Sequence, residues 1–357
     1  MVNSEQEKII LANRKIYLDY LRIFAIFAVV ILHIASQNWA YVNINSYDWQ
    51  IFNFFDGISR WCVPVFAMIS GNLFLGKKIF IKKLYFKYIL RLLIAFLFWS
   101  CFYALVNSEE KNFISVYSEI ITGHYHMWFI LMIIGLYICV PFIKLVANNE
   151  NISRYYLLVA FLFAFFLPQV ITIVNDFGEN FIIRTISQIN CNMSFMYMNN
   201  VVAGFVPYFV LGNYLDKTEF NKKTRMIIYT IGVLGFFLTV YLSLVVSIKT
   251  QSALENYYGP WRVNVLFESV AVYTWFKYKK YKIKKWNAFV VKLSKYSFGA
   301  YLIHAFVIER LDTFFGLNSL SFNPIFSIVL ISILVFIISF VISAILNNIP
   351  VLKKYIV

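Results

Sequence analysis

Apolar residues fall into runs of about 20, each bounded by charge, Gly, Pro or Asn, near positions 17–37, 51–75, 84–106, 126–147, 155–174, 198–215, 226–248, 260–277, 296–315 and 324–346. Roughly 20 residues at 1.5 Å rise is the length a helix needs to cross hydrocarbon. The pattern predicts an all-α polytopic membrane protein: a bundle of about ten transmembrane helices in a single domain over 1–357. Residues 1–16 form an N-terminal segment, 17–346 the helices and 347–357 a tail. The first run keeps Asp19, Arg22 and His33 and shows no clear small-residue cleavage site, so it reads as an uncleaved span.

Composition agrees with that reading. Of 357 residues, 61% are hydrophobic and 14% charged, against roughly 25% charged in soluble domains. The net charge of +15 would point a soluble chain to nucleic acid, but here topology explains it and no nucleic-acid partner is expected. If the runs alternate, 25 of the 32 Lys and Arg face one side, including Lys77, Lys78, Lys82, Lys83, Lys87, Arg91 and eight lysines between Lys277 and Lys295. Four, Lys111, Arg184, Lys249 and Arg310, face the other. The positive-inside bias then puts both termini in the cytoplasm. Cys62, Cys101, Cys139 and Cys191 show no metal spacing and no disulfide framework, and no metal is expected.

Ionisable residues inside spans are expensive and therefore candidate functional residues. Asp19 and Arg22 are three apart on one helix face, and His33 lies 11 residues beyond Arg22, about three turns or 16 Å along the axis. All three can face one cavity; an interfacial ion pair and a satisfied core histidine are the bland readings. Arg60 lies deep in the second run, near Pro64 and Gly71, and needs a partner or an aqueous cavity; Glu268 in the eighth run is a candidate partner. His124-Tyr-His126-Met-Trp128 opens the fourth run at the depth expected for His33; interfacial anchoring explains Trp128 better than His126. His304 follows Tyr301 in the ninth run. Lys83, Lys87 and Arg91 fall at i, i+4 and i+8, where lipid headgroups or a polyphosphate would be held.

Four segments resemble the acyltransferase 3 family of integral membrane acyltransferases: Leu18-Asp-Tyr-Leu-Arg22 with ten residues to His33; Val63 to Gly71; Tyr125 to Tyr137 with Pro141; and Leu293 to His304. The resemblance covers nearly the whole chain and implies transfer of an acyl group, commonly acetyl, from cytoplasmic acyl-CoA to a hydroxyl on an envelope glycan or similar acceptor. On that model Arg22, beside Asp19, and the Lys83, Lys87 and Arg91 face engage the CoA phosphates. His33 acts as general base or carries the acyl group, and Arg60 or His126 stabilises the oxyanion, with Trp128, Glu268, Tyr301 and His304 in support.

Acetyl-CoA is then a donor substrate and no cofactor is bound. The acceptor is a cell-envelope polysaccharide or lipid-linked glycan, and the setting is a bacterial plasma membrane with its lipids. Some relatives carry a fused extracytoplasmic hydrolase-like domain; none is expected here, which leaves room for a separate partner protein. Two other classes stay open at this point, a transporter of a glycan or small polar solute and a sensor.

Overall fold

The computed structural model describes residues 14–77, 80–107, 113–178 and 201–357; Lys8, Lys78, Lys111, Arg184 and Cys191 lie outside these. The described residues fold into helices, and the predicted apolar runs fall on them, two of the runs on more than one. In chain order they are α1 (Ile16–Ser36), α2 (Tyr47–Gly57), α3 (Cys62–Leu75), α4 (Leu90–Asn107), α5 (Phe113–Thr122), α6 (Trp128–Ala147), α7 (Glu150–Ala160) and α8 (Leu167–Phe177). Then come α9 (Val201–Lys217), α10 (Lys222–Thr250), α11 (Val263–Tyr278), α12 (Lys284–Ser294), α13 (Ser297–Phe315), α14 (Pro324–Leu346) and α15 (Pro350–Tyr355). Among the described residues seven helical segments are long and apolar enough to cross a membrane, among them Ile16–Ser36, Tyr47–Leu75, Ile81–Val106 and Pro324–Leu346. The chain is a helical, multi-pass membrane protein.

Contacts between helix ends sort the bundle into two poles. At the lysine-rich pole Lys15 Nζ donates to Asn72 Oδ1 at 2.9 Å, Lys217 Nζ to the Ala147 carbonyl at 3.2 Å, and Lys277 Nζ to the Leu215 carbonyl at 3.0 Å. At the opposite pole Asn38 Nδ2 donates to Ser319 Oγ at 2.9 Å and Lys249 Nζ to the Asp176 carbonyl at 2.8 Å. These contacts place the C-terminal ends of the second, fourth, sixth and eighth runs at the pole of Lys15, and those of the fifth and seventh runs together at the other.

Three local departures from straight helices matter for the site. The second run is broken: a turn over 58–61 separates α2 from α3 and leaves Arg60 in the break. Pro64 is the third residue of α3, where its missing N–H is one of the orphan donors of a helix start and costs nothing. A π-helical stretch, Leu84–Ile89, precedes α4 and a second, Phe161–Phe166, joins α7 to α8. The predicted loop near 278–295 is largely α12, which buries Asn287, Val290 and Val291 and exposes Trp286, Phe289 and lysines, as an interfacial helix does.

Helices α3 and α9 cross at glycines. A Cβ on Gly71 would sit 1.8 Å from the Phe209 carbonyl oxygen, and one on Gly212 would sit 2.0 Å from that of Met68. Gly71 and Gly212 permit this close backbone approach. The crossing fixes the wall that α3 presents to the cavities described next.

Candidate functional site

One stripe of α1 lines two cavities in succession. Arg22 and Ile26 face a cavity of about 350 Å³; Val29, Leu32, His33 and Ser36 face a second of about 390 Å³. Spacings of three and four residues keep these positions on one helix face. Phe66, Phe129 and Tyr301, from α3, α6 and α13, line both cavities and so form their common wall. The rings of Phe66 and Phe129 lie 5.7 Å apart at 62°, and those of Phe129 and Tyr301 5.7 Å apart at 65°.

The first cavity holds Arg22 and Arg91 with Ser70, Tyr88, Tyr137 and Ser297. Among the described residues no carboxylate pairs with Arg22: Asp19 is taken by Arg14, in two bonds of 2.6 Å, and by Ser294 Oγ at 2.6 Å. The hydrogen bonds that Arg14 donates to Asp19 raise the Arg14 pKa above its ordinary value. Asp19, expected beside Arg22 in a donor site, instead ties the N-terminal segment to α12; it follows Arg14 by five residues, a pairing that α1 alone does not suggest.

The expected face of Lys83, Lys87 and Arg91 is also divided. A π-helical turn takes more residues than an α turn, so the register slips between Lys83 and Arg91. Arg91 lines the cavity with Tyr88 and Leu92, while Lys83 and Lys87 are exposed and do not line it. Arg91 Nη2 also donates to the Val357 carbonyl oxygen at 2.5 Å.

The second cavity gathers His33, Arg60, His126, Trp128 and Tyr301, with Tyr125 and, from the loop between α10 and α11, Glu255, Tyr258 and Pro260. Arg60 Nη2 donates to the fully buried Asp56 Oδ2 at 2.5 Å, and its guanidinium lies 4.2 Å over the Tyr258 ring. The expected partner, Glu268, is elsewhere: its Oε1 accepts from Thr239 at 2.7 Å, and it lines a separate apolar cavity with Phe24, Trp61 and Trp275. Asp56 lies four positions before Arg60, and that spacing is the sequence signal for the pair.

All four histidines of the chain meet here. The His33 ring is 5.2 Å from His304 and 5.3 Å from Tyr125, and His126 is 5.0 Å from His304. His304 is fully buried with Nδ1 2.5 Å from the Tyr301 carbonyl, while the Tyr301 hydroxyl donates to the His126 carbonyl at 2.5 Å. His124 stacks 4.1 Å from Tyr103 at 11° and reaches Glu309 Oε1 from Nε2 at 2.9 Å. Among the described residues no group of three or more His, Cys, Asp or Glu is arranged to hold a metal ion.

Two arginines at one cavity and a histidine and arginine at the next, along one helix, suit a polyanionic donor that reaches past a wall to a reacting centre. The family model described as an acyltransferase domain matches residues 15–344. The chain belongs to the acyltransferase 3 family. Neither the curated proteins nor the solved structures contain a match. The family makes this membrane protein an acyltransferase, and both cavities lie within the matched residues.

Proposed function

We propose that this acyltransferase takes acetyl from acetyl-CoA and transfers it to a hydroxyl of a cell-envelope polysaccharide or lipid-linked glycan, in a bacterial plasma membrane with both termini cytoplasmic. The observation that carries the reading is the shared wall of Phe66, Phe129 and Tyr301 between the Arg22 and Arg91 cavity and the His33 and Arg60 cavity. Guanidinium groups bind phosphate with charge-assisted, often bidentate hydrogen bonds, so the CoA phosphates belong beside Arg22 and Arg91. The span from Arg22 to His33, roughly 16 Å of helix, is comparable to an extended phosphopantetheine arm, which would pass the aromatic wall and leave the thioester beside His33.

There the carbonyl carbon is attacked and its oxygen gains negative charge. Arg60, held by Asp56 and Tyr258 at the cavity wall, is positioned to stabilise that oxyanion. His33 is the imidazole at the reacting centre. The thiolate leaves toward the donor cavity, and the acceptor hydroxyl enters from the pole carrying Glu255, Tyr258 and Pro260. A separate partner protein would present an acceptor too large to enter the bilayer.

The test is transfer of label from radiolabelled acetyl-CoA to an envelope glycolipid extract by the protein in nanodiscs, wild type beside His33→Ala. Histidine-dependent label in the glycolipid supports the reading. Wild-type protein that binds no acetyl-CoA and releases no CoA contradicts it and favours transport of a glycan or polar solute.

A further inference from the structure

Transfer to a hydroxyl needs a base, and hydrogen-bond partners in the histidine cluster determine which imidazole nitrogens are free to act as one. A carbonyl oxygen accepts only, so His304, 2.5 Å from the Tyr301 carbonyl, carries its proton on Nδ1 and keeps a lone pair on Nε2. A carboxylate also accepts only, so His124 donates from Nε2 to Glu309 at 2.9 Å. In neutral His124 the lone pair is then on Nδ1. His126 Nδ1 lies 2.9 Å from it and must donate, which leaves the lone pair of His126 on Nε2. That nitrogen is buried and has no hydrogen-bond partner among the described residues, and His126, only 3% exposed, lines the cavity of His33 and Arg60.

Charge separates the candidates for the base. An imidazole that takes a proton becomes a cation, and both His33 and His126 line the cavity of the Arg60 guanidinium, so the base needs a carboxylate to take up the charge. Among the described residues His124 is the histidine with a carboxylate at ion-pair distance. A proton accepted by His126 can be followed by its Nδ1 proton moving to His124 Nδ1, so that the positive charge rests beside Glu309.

We propose that Glu309, His124 and His126 form a proton-relay arm in which His126 is the base for the acceptor hydroxyl and His124 and Glu309 position and discharge it. The proposal rests on the transferase reading above. The hydroxyl oxygen bonds to the acyl carbon as its O–H bond breaks, and the proton goes to His126 Nε2 while the Nδ1 proton passes to His124. The C–S bond breaks with its electron pair on sulfur. The proton returns along the same path to the thiolate, which leaves as CoA thiol, and the arm regains its starting tautomers. If His33 carries the acyl group between donor and acceptor, its ring nitrogen takes the place of sulfur in the second step with the same balance.

Two measurements test the arm. With four histidines in the chain, 15N-histidine NMR of the protein in lipid bilayers gives a spectrum assignable by single substitutions. His126 is expected as the Nδ1-protonated form in the wild type, with that preference lost in Glu309→Ala; an Nε2-protonated His126 in the wild type overturns the proposal. In the glycolipid transfer assay, Glu309→Gln and His124→Gln are expected to lower kcat about 100-fold with the KM for acetyl-CoA within about two-fold, and Glu309→Asp to recover part of the loss. Wild-type kcat in Glu309→Gln overturns it, and so does a loss confined to KM. If the wild type transfers no acetyl at all, the transferase reading fails, while the histidine tautomers still decide whether the arm exists.

Discussion

The two cavities are similar in volume and share three residues of wall, yet they are built by opposite means. The Arg22 and Arg91 cavity is cationic, and among the described residues no carboxylate pairs with Arg22; an anionic ligand would compensate it. The His33 cavity carries its own compensation: Asp56 and the Tyr258 ring hold Arg60, and the Tyr301 carbonyl and Glu309 hold His304 and His124. A site that binds a charged ligand can wait for its counter-charge, whereas one that develops charge during reaction needs it fixed beforehand. On the proposed reading, binding and chemistry are thus separated along one helix face, by the Phe66, Phe129 and Tyr301 wall.

That separation is most easily broken at His33. His33→Ala removes the imidazole beside the thioester and should lower the transfer rate about 1000-fold or more, with acetyl-CoA affinity unchanged in equilibrium binding. Equal losses in binding and rate would merge the two cavities into one. The next largest effect belongs to Arg22→Ala, which removes a charge-assisted phosphate contact and should weaken acetyl-CoA binding about 10- to 100-fold while leaving the rate at saturating donor nearly intact.

The wall itself gives a smaller, sharper signal. Phe129→Ala opens space between the cavities, and the ratio of CoA release from butanoyl-CoA to that from acetyl-CoA should rise about ten-fold, in line with the 1–3 kcal/mol that a methylene is worth in an apolar pocket. The smallest effect is expected at Lys83→Ala and Lys87→Ala. Both side chains are exposed outside the donor cavity, so acetyl-CoA binding should change by less than about two-fold at physiological salt; a change as large as that in Arg22→Ala would return these lysines to the donor site.

Much of the fold was legible because a bilayer imposes one dominant length on apolar runs, and the predicted runs fall on helices among the described residues. His33, Arg60, His126, Tyr301 and His304 were legible as polar groups in apolar surroundings, and the structure brings them together. What sequence could not show is how charges pair. Asp19 goes to Arg14, five positions before it, instead of serving Arg22. Asp56 is the exception, since its spacing of four from Arg60 is in the sequence, but nothing there turns Glu268 to Thr239. The spacing of Lys83, Lys87 and Arg91 assumed a regular α-helix, and the π-helical stretch Leu84–Ile89 breaks that assumption. The meeting of His124 with Glu309, 185 positions apart in numbering, depends on the packing of two helical segments and has no local signature.

The central claim is that the donor lies along the α1 stripe, phosphates at one cavity and thioester at the other. The most direct measurement is a cryo-electron-microscopy structure of the protein in nanodiscs with acetyl-CoA. CoA phosphates are expected against Arg22 and Arg91, with the pantetheine arm passing Phe66, Phe129 and Tyr301 and the acetyl group beside His33 and Arg60. Acetyl-CoA bound on the exposed Lys83 and Lys87 surface, with no density reaching the His33 cavity, would contradict it.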